Sequence, residues 1–146
     1  MSKSNTFEND LLQLIFNNVD IADIGDAAGL QNSAIAGSLY VALHTGDPGE
    51  GGTAATSEAA YGSYARVAVA RSGAGWTVSG NQVSNTALIQ FPECTSGSET
   101  ISYVSITTAS SGASKILYSG ALSASRAISS GIQPQFAASA LTVTED

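Results

Sequence analysis

Apolar residues recur at Phe7, Leu11, Leu14 and Ile15, the i, i+4, i+7, i+8 spacing of one helical face, and this predicts a helix over 5–18. Asn5 is placed to accept the first free amide, Glu8 stands three residues on in the capping-box position, and the Asn17-Asn18 pair suits the exit. At about 100° per residue, Leu12 and Phe16 fall beside the stripe and widen the apolar arc to roughly half the circumference. Two readings of that wide arc stand equally. Either a sheet core takes in the whole helix, or one flank packs on the parent domain and the other on a neighbouring chain.

Between Val19 and Gly37 the pattern reads as a helical turn followed by loop. After Ser38 the period changes to two: Leu39, Val41 and Leu43 alternate with Tyr40, Ala42 and His44, a half-buried strand. The rhythm returns over 64–71, where Ala65, Val67 and Val69 share a face, and over 101–107, where Ile101 and Tyr103 give way to Val104 and Ile106 after a shift. Shorter versions occupy 116–119 and 141–144. Within 76–84, Gly80-Asn81 fits the two-residue loop of a type II′ hairpin. Short strands separated by Gly/Ser-rich turns, with one helix, predict a mainly β fold: an antiparallel β-sandwich of jelly-roll type with an N-terminal α-helix. The expected organisation is a helical arm and connector over 1–37 and the sandwich over 38–146, a single domain overall.

Composition narrows the chemistry. About half of the 146 residues are Ala, Gly, Ser or Thr, and only 12% are charged, about half the usual share. The formal charge of −7 opposes phosphate backbones and anionic lipid, so neither a nucleic acid nor a membrane is an expected partner. One cysteine, Cys94, cannot staple its own chain, and no Cys/His ligand set is present. No apolar run approaches a membrane span, and the opening residues lack the pattern of a secretion signal. A cytosolic product that is not exported by the usual route is the expectation.

Candidate sites are few. Asp20, Asp23 and Asp26 lack the glycine and closing glutamate of an EF-hand loop, so they read as a solvated acidic edge. His44 is the only histidine, near Asp47 and Glu50, but no Gly-x-Ser-x-Gly elbow places a nucleophile beside it. It reads as a strand-end histidine bonding the Asp47-Pro48-Gly49 turn. The glycine-rich run 46–52 has no lysine and two acids, which suits a loop that wraps a partner better than one that cradles phosphate. Arg66 and Arg71 read as partners for the chain's own carboxylates. Trp76, Phe91, Tyr61, Tyr64, Tyr103 and Tyr118 fit either a core or a sugar-binding platform. No cofactor, metal or catalytic residue is expected.

The segment Leu39-Tyr40-Val41-Ala42-Leu43-His44-Thr45-Gly46-Asp47-Pro48-Gly49, with 64–71, Gly75-Trp76-Thr77-Val78-Ser79-Gly80-Asn81 and Phe91-Pro92-Glu93-Cys94, resembles a family of small tailed-bacteriophage virion proteins. The two ends, 6–12 and 141–146, resemble that family's ends. Members carry a tail-fibre label, and related small β-sandwich proteins act as capsid cement. The resemblance implies a non-catalytic decoration protein on the outer capsid surface that clamps adjacent subunits of the major capsid protein, as a homo-oligomer, dimer or trimer. The alternative it implies is a tail or tail-fibre-associated protein contacting host glycans. The expected partner interface is Phe7, Leu11, Leu12, Leu14, Ile15 and Phe16, with Asp47, Pro48 and Glu50 as a second contact.

Overall fold

A computed structural model describes residues 1–146. Helix α1 (Asn5–Asn17) precedes nine strands: β1 (Ser38–His44), β2 (Val67–Ala70), β3 (Trp76–Ser79), β4 (Gln82–Asn85), β5 (Ile89–Gln90), β6 (Ser98–Thr107), β7 (Ile116–Ser129), β8 (Gln135–Phe136) and β9 (Thr142–Thr144). The fold is mainly β with one helix, and the pairs β1–β6, β6–β7, β3–β4 and β4–β9 are antiparallel. The chain builds two compact units. The first takes Met1–Ser38, Val69–Leu88 and Phe136–Asp146; the second takes Leu39–Ala68 and Ile89–Gln135.

In the first unit the helix is capped by Ser4, not by Asn5. Ser4 is extended (φ −82°, ψ 151°) and its Oγ accepts the Phe7 amide at 3.3 Å, the third helical N–H, which a cap one residue later cannot reach in this register. Glu8 therefore stands outside the capping box. Asn18 ends the helix in the left-handed conformation (φ 58°), its N–H donating to Gln13 O. The last turn contains no basic residue, and Arg71 supplies the charge from elsewhere: its guanidinium donates to Leu14 O and Ile15 O, each at 2.7 Å. A cation on these otherwise unpaired carbonyls also opposes the negative end of the helix dipole.

The face that α1 buries is Glu8, Leu12 and Phe16, at i+4 spacing. Leu12 and Phe16 lose all solvent contact, while the stripe expected to lead, Phe7, Leu11, Leu14 and Ile15, is exposed at Phe7 and half-buried at the rest. Phe16 and Trp76 pack edge to face with ring centroids 4.9 Å apart. Trp76 opens the predicted hairpin: Ser79 pairs with Gln82 across Gly80-Asn81, and Gly80 takes φ 60° as the first corner of a type II′ turn requires. Strand β9 pairs with β4 on the other side, giving the order β3-β4-β9. Fully buried Asn85 fixes this C-terminal return. Its Nδ2 donates to Ala87 O and Ala137 O, both at 2.8 Å, and its Oδ1 accepts the Leu141 amide at 2.9 Å.

The segment 19–37 forms no helical turn. Ile21 and Leu30 bridge in antiparallel fashion, and Asp23, Gly25 and Gly29 all have positive φ, which a right-handed turn does not accept. Asp26 Oδ1 accepts the Ala28 and Gly29 amides, and Asp20 Oδ1 accepts that of Asn32. Two of the three aspartates thus shape a ribbon.

The second unit contributes β1, β6 and β7 to the sheet β2-β1-β6-β7. Strand β1 sits inside it, so Val41, Ala42, Leu43 and His44 are all buried, in place of the expected one-sided burial. The shift in alternation near residue 102 is a register change between Ile101 and Tyr103 against β7. Strand β7 runs to Ser129, far past the expected 116–119, whereas the expected strand over 64–71 shortens to Val67–Ala70. Phe16→Ala should destabilise the protein by about 3–5 kcal/mol, and Phe7→Ala by under about 1 kcal/mol, in chemical denaturation.

Candidate interaction surfaces and the buried polar network

Polar side chains of the second unit converge beneath β1. Arg66, with a side chain only 1% exposed, forms a bidentate pair with Glu58: Nε to Oε1 at 2.6 Å and Nη2 to Oε2 at 2.7 Å. Its remaining N–H groups go to Ala109 O, Gly112 O and Ser114 Oγ, so the fixed fork of the guanidinium is fully used. The Glu58 hydrogen bond, working against burial, pushes the Arg66 pKa above its usual value. Tyr64 hydroxyl donates to Glu58 Oε1 at 3.2 Å and accepts the Leu43 amide at 3.0 Å. Burial, the largest cause, pushes the Tyr64 phenol well above its ordinary range, which keeps it a donor. Thr107 donates to Lys115 O, which leaves Ser114 hydroxyl to donate to Thr107 Oγ1 at 2.6 Å. Three separate segments, 58–66, 107–109 and 112–115, are thereby locked together.

His44 lies in the same unit with no solvent exposure. Its Nδ1 is 2.9 Å from Thr56 O, a carbonyl that can only accept, so Nδ1 carries the proton and Nε2 accepts from Ser105 Oγ at 2.8 Å. Burial is the main cause that lowers the His44 pKa below 6.5; the Thr56 bond opposes it. The Ser–His orientation is that of a proton-accepting histidine, but Ser105 is 1% exposed. Both groups face the interior, where they tie β1 to β6 and to the 53–58 turn.

The expected loop contact is held more tightly than a free glycine-rich loop. Asp47 Oδ1 accepts the Gly49 amide at 2.8 Å, Gly49 has φ 68°, and Gly52 N–H returns to Gly49 O. Asp47 and Glu50 are not buried, while Pro48 is. His44 bonds the 53–58 turn and not the Asp47-Pro48-Gly49 turn expected for it.

Of the six helix residues expected to form an interface, Leu12 and Phe16 are interior, and Phe7, Leu11, Leu14 and Ile15 keep accessible surface. The helix residues and the loop residues belong to different units. The aromatic residues also divide: Trp76 is buried and meets Phe16, Tyr61 and Phe91 are buried, with half-buried Tyr64 stacked on Phe91 at 6.4 Å and against Tyr61 at 5.3 Å, while Tyr103 and Tyr118 keep accessible surface. Sequence reasoning missed the ribbon after α1, where Val19, Ile24, Leu30 and Ile35 are all at least 39% exposed. Their presence in an acidic, irregular stretch was the available signal.

These surfaces have chemical character but no assembled reactive group, and the sequence match decides the family. The family described as Podophage GP4 fiber I protein gp80 matches residues 2–144. The chain belongs to that family. It is therefore a bacteriophage structural protein, in line with the resemblance drawn from its motifs. No curated protein matches the gp80-family chain. No helix in it is long and apolar enough to cross a membrane.

Removing one member of the buried ion pair of this gp80-family protein, as in Glu58→Ala, should cost on the order of 3–5 kcal/mol in urea unfolding, because it strands the Arg66 charge. The histidine gives a pH signature. As the pH falls below 6.5 the unfolded chain takes up a proton that folded His44 resists, so its contribution is complete above that value and is lost below it. The urea midpoint should fall between about pH 7 and pH 5, and His44→Asn should remove much of that fall.

Proposed function

We propose that this chain is a non-catalytic subunit of a virion fibre assembly that attaches to other virion proteins through apolar surface on α1 and the ribbon behind it. The family match over residues 2–144 carries this reading. Phe7, Leu11, Leu14 and Ile15 supply accessible apolar area on a helix whose opposite face is anchored in the first unit, so a partner can be held without unfolding that unit. The sealed His44–Ser105 pair supports a non-catalytic role, since no substrate reaches it without local opening. The chain lacks the repetition expected of a fibre shaft, which makes it an attached module of the fibre.

A second reading keeps the β-rich fold and moves its place. The chain is then a capsid cement protein of jelly-roll sandwich type on the outer head surface, clamping major capsid subunits. Its non-repeating chain and its acidic charge of −7 favour that position. Many weak contacts on neighbouring sites would sum to stable attachment in either case.

Copy number and location separate the readings. Quantitative mass spectrometry with cryo-electron microscopy of intact particles should find tens of copies or fewer, at the fibres. Hundreds of copies over the head would replace the fibre reading with cement. Phe7→Glu with Leu11→Glu should lower incorporation at least about tenfold with little loss of stability, since these positions are accessible in the folded protein.

A further inference from the structure

We propose that the ribbon behind α1 takes a cationic, apolar segment of another virion protein, one in which lysine or arginine side chains are interleaved with apolar ones. The inference rests on the attachment reading above and names the chemistry of the partner. Of residues 22–35 only Gly29 is even half-buried, so Ile24, Leu30 and Ile35 face solvent, with Val19 exposed at the base. Exposed apolar surface rimmed by polar groups marks an interaction site. The ribbon is nonetheless held in one shape. Asn18 Nδ2 donates to Ser33 O at 2.8 Å, the Ser33 amide returns to Asn18 Oδ1 at 2.9 Å, and Asn32 Nδ2 donates to Asn18 O. Arg71 joins it to the helix: the guanidinium that serves Leu14 O and Ile15 O also donates to Ala36 O at 3.1 Å and to Ser33 Oγ at 3.3 Å. An apolar strip ordered by polar bonds, and not by its own burial, loses little further freedom when a partner covers it.

Charge selects the occupant. Asp20, Asp23 and Asp26 are interleaved with these apolar residues, Asp20 next to Val19 and Asp23 next to Ile24, and all three are exposed. Asp20 and Asp26 accept backbone amides through Oδ1, and no cation pairs with any of the three. The first unit contains two basic side chains, and both are committed elsewhere: Lys3 pairs with Glu145 at 3.1 Å, and Arg71 is taken up by the carbonyls and the hydroxyl just described. Uncompensated carboxylates among apolar side chains suit cations that arrive on an apolar surface, and they steer such a partner in while rejecting one of the wrong sign. The same carboxylates repel nucleic acid and anionic lipid.

Site-specific photo-cross-linking in intact particles tests this. Ile35 is 84% exposed, so the variant Ile35→p-benzoylphenylalanine places the reactive ketone outside the fold, and mass spectrometry reads the products. The expected product joins position 35 to a different virion protein, within a segment that carries net positive charge and apolar residues. Binding of the full-length protein to particles assembled without it gives a second readout. Raising NaCl from about 50 mM to about 500 mM should weaken wild-type binding on the order of tenfold. The triple variant Asp20→Asn, Asp23→Asn, Asp26→Asn keeps the Oδ1 acceptors; it should bind weakly already at low salt and lose most of that salt dependence. Ile24→Ser with Ile35→Ser leaves the charges in place and should lower binding about tenfold or more, with the salt dependence retained. Both sets should leave the urea midpoint unchanged. Cross-links to a second copy of this chain or to a neutral or acidic segment, or undiminished binding by either folded set, would overturn the proposal. If the ribbon variants bind normally while Phe7→Glu with Leu11→Glu does not, attachment through α1 stands and the ribbon inference alone falls; if all of them bind normally, both fall.

Discussion

The Glu58–Arg66 pair is the constraint around which the second unit is arranged. A guanidinium with a 1% exposed side chain carries a large desolvation cost, and only a complete set of acceptors offsets it. Those acceptors come from Glu58 and from the turn 109–114, so the charge can be buried only when both segments are in place. Tyr64 extends the same network to the backbone of β1. The first unit solves a similar problem with Arg71, which serves the unpaired carbonyls at the end of α1.

This use of polar residues explains how so uncharged a chain works. Two of its five basic residues are committed to internal acceptors, and its one histidine is sealed with a serine. Interior chemistry is thereby spent on holding irregular segments together. What remains outside is shape: an apolar helix flank, an apolar ribbon and a long strand edge.

Much of the local structure was legible in the sequence. The spacing of Phe7, Leu11, Leu14 and Ile15 announced a helix, Gly80-Asn81 announced the hairpin, and the change of alternation near residue 102 announced the register break. The side of α1 that faces inward was not legible, because leucines and phenylalanines lie around half its circumference and Trp76, sixty residues away, decides among them. For the same reason β1 looked one-sided: Ala42 and His44 are poor markers of burial, and their environment comes from β6 and from the 53–58 turn. The reach of β7 was hidden by its serines, alanines and glycine, which carry little periodic signal. Cap position turned on one residue, Ser4 against Asn5, a difference settled by which amide the side chain can reach.

A double-mutant cycle on Glu58→Gln and Arg66→Met tests most directly whether the buried pair organises the second unit. If it does, the two single changes should each be costly and the double change much less costly than their sum, with a coupling of about 2–3 kcal/mol by chemical denaturation. Additive effects, with no coupling, would mean that the two side chains contribute separately and that the network does not hold the unit together.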